Sequence, residues 1–151
     1  MRKKIIKAVL FLTIIITIIP SYSVYGNEIE PLSNKHTYRT VYGTPVTTTR
    51  IISAEEASTT QGQYDAISEI LGQINQSLSY AWDFMSILTG MGNVEGKIET
   101  TTQRITKYQT YLPSGNTTVM WRKLKITMTS YKLNSSGSYT QYSTITRTIN
   151  L

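Results

Sequence analysis

Cysteine is absent from this 151-residue chain, and histidine occurs once, at His36. Without thiols no disulfide can staple the fold, so its stability must rest on packing. The same two counts exclude thiol catalysis, Cys/His zinc sites and a two-histidine metalloprotease helix. A Ser-His-Asp triad would need His36 held rigidly by a segment with little to hold it.

Acidic residues are sparse, nine in all, and the pairs suited to glycoside hydrolysis are Glu55/Glu56 and Asp65/Glu69. The first pair suits a helix start and the second a solvated helix face. No second acidic cluster follows on the strands to complete a cleft. Glycine-rich phosphate loops are missing too, because Gly90-Met91-Gly92 closes a helical pattern rather than opening one. The chain reads as non-enzymatic, with no cofactor and no metal site.

What is present begins with a leader. Arg2, Lys3, Lys4 and Lys7 precede an apolar stretch over 8–19, followed by Pro20 and a short polar exit to Gly26. Charged start, apolar middle and small-residue end describe a secretory signal over 1–26. A secreted, extracellular or envelope-associated protein is the expectation, and the composition suggests a bacterial source. The alternative is an uncleaved membrane anchor, against which stands the shortness of 5–19 beside the roughly 20 apolar residues of a spanning helix. The whole chain carries 15 basic and 9 acidic residues, or +6. Without the leader's four cations, eleven basic against nine acidic residues leave +2. The basic pI of ≈ 9.5 therefore describes mostly the leader, and nucleic acid is not an expected partner.

Past the leader, 27–52 reads as a mobile N-terminal arm, with short strands at 37–42 and 46–52 suggested by β-branched and aromatic residues. Residues 53–151 read as a single α+β domain. Ser53 and Glu56 match a capping box, predicting a short helical turn over 54–60 and a bend near Gly62. Ile67, Leu71, Ile74, Leu78, Ala81, Met85 and Leu88 then recur at alternating spacings of four and three. That stripe predicts one long amphipathic helix over 64–88. From 98 to 151 three Thr- and Tyr-rich runs are separated by turn sequences at 113–116 and 134–138, predicting an antiparallel β-meander. The expected fold is therefore that helix packed on a three- to four-stranded sheet in two layers.

Charge divides between these parts. Residues 51–96 hold six acids and no base, whereas 97–151 hold eight bases and one acid, Glu99. In the middle strand, alternation puts Met120, Leu124, Ile126 and Met128 on one face. Val119, Trp121, Lys123, Lys125, Tyr131 and Leu133 fall on the other. Trp121, Lys123, Lys125 and Tyr131 form the one constellation with binding chemistry, since rings stack on sugars while cations hold anions. The competing reading is plain packing of Trp121 and Tyr131 against a neighbouring strand under lysine stems. The expected ligand is an anionic cell-envelope polymer or a partner protein, and the expected role a secreted binding or cell-surface module. Self-association as an extracellular matrix component is the alternative, because long Thr-rich strands leave pairing edges open. A membrane-active toxin or bacteriocin is a third class, disfavoured by the acidic helix. Contact with a membrane is otherwise expected only through an uncleaved leader. Triplets for N-glycosylation at Asn75, Asn116 and Asn134 have meaning only in a source that glycosylates.

Overall fold

The computed structural model describes residues 28–33, 36–112 and 114–151. The export leader read over 1–26 lies outside the described residues. Six strands form one antiparallel sheet: β1 Glu28–Ser33, β2 His36–Tyr42, β3 Val46–Ile52, β4 Gly96–Tyr111, β5 Thr117–Leu133 and β6 Tyr139–Asn150. Between β3 and β4 the chain makes α1 Ala54–Ser58 and α2 Thr60–Gln73. A 3-10 turn at Leu78–Tyr80, the short helix α3 Ala81–Phe84 and a second 3-10 turn at Met85–Ile87 follow.

β4, β5 and β6 succeed one another as antiparallel neighbours, in line with the turn sequences between them. The other side of β4 is shared. β2 pairs with its C-terminal half, Tyr42 opposite Ile105, and β3 with its N-terminal half, Val46 opposite Thr102. Gly43, Thr44 and Pro45 bridge the two strands, and the Gly43 N–H donates to the Arg104 carbonyl at 2.7 Å. Residues 36–52, expected as part of an arm, thus lie along β4 as a bent strand, with β1 added beyond β2.

The single long helix over 64–88 is not present, nor is the sheet limited to three or four strands; the fold is a β-rich α+β sheet with short helices. The helix stops at Ile74 for a local reason. Asn75 takes a left-handed conformation, φ 55°, the Gln76 N–H donates to the Leu71 carbonyl at 2.8 Å, and the Asn75 N–H to the Gly72 carbonyl at 3.1 Å. This pair of bonds is a Schellman stop, with asparagine tolerating the position glycine usually fills. Ser77 then opens the next turn by accepting from the Ser79 N–H. The apolar stripe survives the break because both pieces pack on the same sheet face. Only its middle member escapes: Leu78 is 51% exposed. Replacing Asn75 by alanine should lower stability by about 1 kcal/mol, while glycine there should be neutral or stabilising. Denaturant titration of the two variants checks this, and equal stabilities would count against the left-handed stop.

The capping box at Ser53 is formed, with Glu56 N–H to Ser53 Oγ at 3.1 Å and Ser53 N–H to Glu56 Oε2 at 2.8 Å. The break that follows falls at Thr59 rather than Gly62, because Thr59 is extended and caps α2. Gly62 instead permits close packing of α1 on α2: a Cβ there would lie 2.6 Å from the Glu56 carbonyl oxygen.

The core sits between these helices and one half of the sheet. Ile67, Ile70, Leu71, Phe84, Ile87 and Leu88 pack against Ile52, Ile98, Ile126 and Met128. Short helices in a core leave carbonyls without helical partners, and buried side chains satisfy them. The Gln63 amide donates to the Ala57 carbonyl at 2.7 Å and the Leu88 carbonyl at 3.3 Å. The Ser130 hydroxyl donates to the Ile87 carbonyl at 2.5 Å.

Lengths decide the rest. α2, with 14 residues, spans about 21 Å, whereas β5, with 17, spans about 56 Å. The helices therefore cover only part of the sheet. No residue of β2, of β4 after Thr100 or of β5 before Leu124 is buried. That portion is a single layer wetted on both sides, and among the described residues no helix covers the opposite face of the sheet. Among the described residues, no helix is long and apolar enough to cross a membrane.

Candidate functional site

Directly paired residues share a face, so the registers lay out the bare face as ranks running across the strands. Ile51, Lys97, Tyr131 and Gln141 make one rank. Next come Thr49, Glu99, Thr129 and Thr144, then Thr47, Thr101, Thr127 and Thr146. Gln103, Lys125 and Thr148 follow, then Tyr42, Ile105, Lys123 and Asn150, and finally Thr40, Lys107 and Trp121. Threonine hydroxyls couple strands in the middle ranks: Thr47 to Thr101 at 2.8 Å, Thr127 to Thr146 at 2.9 Å, and Thr144 to Thr129 at 3.0 Å.

All four residues singled out in the sequence, Trp121, Lys123, Lys125 and Tyr131, lie on this face, but they do not form one site. Ten residues of strand separate Trp121 from Tyr131, about 33 Å. Their surroundings differ as much as their positions. The Tyr131 hydroxyl donates to Glu99 Oε2 at 2.8 Å, and Lys97 Nζ binds Glu99 Oε1 at 2.6 Å while lying 4.5 Å from the Tyr131 ring centre. The bond from Lys97 holds the Glu99 carboxyl below its ordinary pKa, and the bond to Glu99 raises that of the Tyr131 phenol. Tyr139 donates to Glu95 nearby at 2.9 Å. This end of the face is internally neutralised, and Tyr131 serves packing there.

The Trp121 end is arranged otherwise. Lys123 Nζ lies 4.7 Å from the Trp121 ring centre, and Lys125 is exposed one step further along β5. Successive same-face positions put these lysines about 6.6 Å apart along the strand. Across the sheet, Lys107 is opposite Trp121 and reaches over the Tyr38 ring at 5.4 Å. Further towards the same end, the His36 and Tyr111 rings lie 5.3 Å apart, tilted by 45°. Beside Lys125, a hollow of ≈ 80 Å³ opens between Pro45, Thr101, Gln103 and Thr127. Among the described residues, neither Lys123 nor Lys125 forms an ion pair. Glu28 and Glu30 of β1 are in register with Thr40 and Tyr38, three strands or about 14 Å from β5.

A bulge fixes the phase of this end. Lys107 pairs with Trp121 and Tyr108 with Val119, leaving Met120 as an extra residue. Met120, expected on the buried face with Leu124, Ile126 and Met128, is exposed, as neither face of β5 is covered before Leu124. Sequence reading found Trp121, Lys123 and Lys125 by alternation within one strand. It missed Lys107 and Tyr38, which come from two other strands and meet Trp121 only through register.

The helix side carries two further features. A groove of ≈ 570 Å³ at the C-terminal end of α2 is walled by Val46, Ile74, Leu124 and Leu151, with Arg104 as its cation. On the outer face of the helices Trp82, 64% exposed, lies against Tyr64 at 5.2 Å. Among the described residues, no three His, Asp or Glu side chains gather closely enough to hold a metal ion. No protein-family model, curated protein or solved structure matches this chain.

Proposed function

We propose that the protein is a non-catalytic binding module exported to the cell surface, and that the Trp121 end of its bare sheet face engages an anionic envelope polymer. One observation carries the reading. Trp121, Lys123 and Lys125 follow one another on an uncovered face, the two lysines without ion-pair partners among the described residues, and register adds Lys107 and Tyr38 alongside. An aromatic ring beside cations at regular spacing suits a chain that alternates sugar with phosphate or carboxylate. A flat strand face, unlike a closed pocket, suits a long polymer better than a small molecule. Tyr131 is left out of this site because Glu99 and Lys97 already occupy it.

Lys123→Glu with Lys125→Glu is expected to cut retention on anionic cell-wall material by about tenfold or more, with an unchanged circular dichroism spectrum. Retention of the unaltered protein should also fall as salt is raised. Unchanged retention of the double variant would eliminate the proposal.

A further inference from the structure

The two ends of the sheet are guarded unequally. β1, at one end, contains Glu28, Glu30 and Pro31 and loses regular register between Glu30 and Ser33. Charges, proline and irregular pairing are the usual means by which an edge strand is kept from recruiting another chain. β3, whose outer side also lacks a strand among the described residues, is seven residues long and follows Pro45. β6, at the other end, has few of these protections. It is 12 residues long with no proline, lysine or acid, and Arg147 is its one charge. Its single irregularity falls near Tyr142, so 143–150 pairs with β5 without interruption. Among the described residues, no strand pairs with its outer side.

We propose that this edge pairs with the same edge of a second copy, antiparallel and centred on Thr146. The occupant follows from self-complementarity. Thr144, Thr146 and Thr148 are evenly spaced on the bare face. A two-fold axis through Thr146 sets Thr146 against Thr146 of the second copy, and Thr144 against its Thr148. On the helix side Ile145 meets Arg147 of the second copy and Ser143 meets its Ile149, so no like charges are opposed. Centring on Arg147 instead would set two arginines face to face, a destabilising arrangement. Centring on Ile145 would draw the irregular residue Tyr142 into the seam.

Continuity supports the same register. The rank Thr47, Thr101, Thr127, Thr146 already crosses four strands of one copy, with hydroxyl bonds at 2.8 and 2.9 Å. The axis extends it across the seam into the matching rank of the second copy. A threonine hydroxyl has one donor and two acceptor sites, so the Thr127 bond leaves Thr146 capacity for a further partner. An axis perpendicular to the sheet also keeps the bare faces of both copies on one side, and such a closed two-fold contact ends at a dimer.

Sedimentation velocity on the purified protein over roughly 10–500 µM tests the pairing. The unaltered protein should form dimers. Thr146→Lys, at an exposed position, should weaken association about tenfold or more by opposing two lysines, with an unchanged circular dichroism spectrum. An equimolar mixture of Thr146→Lys with Thr146→Glu should restore the dimer, since opposite charges then meet at the axis. A monomer throughout the range, undiminished association of Thr146→Lys alone, or failure of the mixture to associate would each overturn the proposal.

Discussion

Phe84→Ala is expected to cost about 3–5 kcal/mol of folding stability, read from denaturant titration. Domains of this size hold only about 5–15 kcal/mol in total, so the loss is a large share of the stability. The reason lies in how α3 exists at all. Four residues cannot sustain a helix by themselves, because nucleation costs more than one turn of hydrogen bonds returns. Phe84 is fully buried in the core shared with Ile67, Ile70, Leu71, Ile126 and Met128, and its burial holds the turn in place. Removing the ring leaves a cavity and also loosens the anchor of 77–91. Amide exchange over those residues should therefore accelerate more than exchange in β4 and β5. Trp82→Ala, two residues away but at a 64% exposed side chain, should cost less than about 1 kcal/mol. Similar losses for the two variants would contradict this account of the helical layer.

Arg50→Met should cost about 2–3 kcal/mol at neutral pH and should remove much of the acid sensitivity of the fold. Arg50 is on β3 with its side chain 11% exposed, and it is the cation that joins the sheet to both α1 and α2. Its Nη2 lies 2.8 Å from Glu56 Oε1 and 2.7 Å from Glu69 Oε2, while Nε donates to Glu69 Oε2 at 2.9 Å. The cost falls below the 3–5 kcal/mol of a fully buried pair because the two carboxylates stay 34% and 42% exposed. Burial alone disfavours the charged guanidinium, yet bonds to Glu56 and Glu69 outweigh it and hold the Arg50 pKa above its ordinary value. Burial likewise pushes the Glu56 carboxyl upward, and the Ser53 N–H together with Arg50 overcomes that and lowers it.

A carboxyl with a lowered folded pKa gives stability that is complete above its unfolded value, about 4.3 for glutamate. That stability drains away as pH falls through the unfolded value toward the lower folded one. Melting temperature measured from pH 7 to 3 should fall steeply for the unaltered protein and more gently for Arg50→Met. The variant keeps a residual slope from Glu56, which still accepts from the Ser53 N–H, and from Glu99, whose lowered pKa depends on Lys97. Identical slopes in the two proteins would rule out the Arg50 cluster as the acid-sensitive element.

Much of the secondary structure was legible locally, because local chemistry produces it. β5 at Thr117–Leu133 and β3 at Val46–Ile52 begin and end where β-branched runs meet turn residues. The Ser53 capping box needs only four consecutive residues. The long helix failed for an equally local reason. Asn75 and Ser77 contain a stop and a new start, but a stripe of apolar residues at spacings of four and three continues across them. Periodicity reports which residues face the core and is silent on whether one helix or several present them.

The candidate site was half legible on the same grounds. Alternation along β5 placed Trp121, Lys123 and Lys125 together, and rightly put Tyr131 on their face. It could not show that Glu99 and Lys97 neutralise Tyr131, or that Lys107 and Tyr38 flank Trp121, since those neighbours are brought by other strands. By itself the sequence determined the strand-rich composition, the turns, the acidic 51–96 segment and the basic strands. Tertiary structure alone decided that helices spanning about 21 Å shield part of strands spanning about 56 Å. Coverage depends on relative lengths in space, and register on pairing between distant segments; neither is written in any local window.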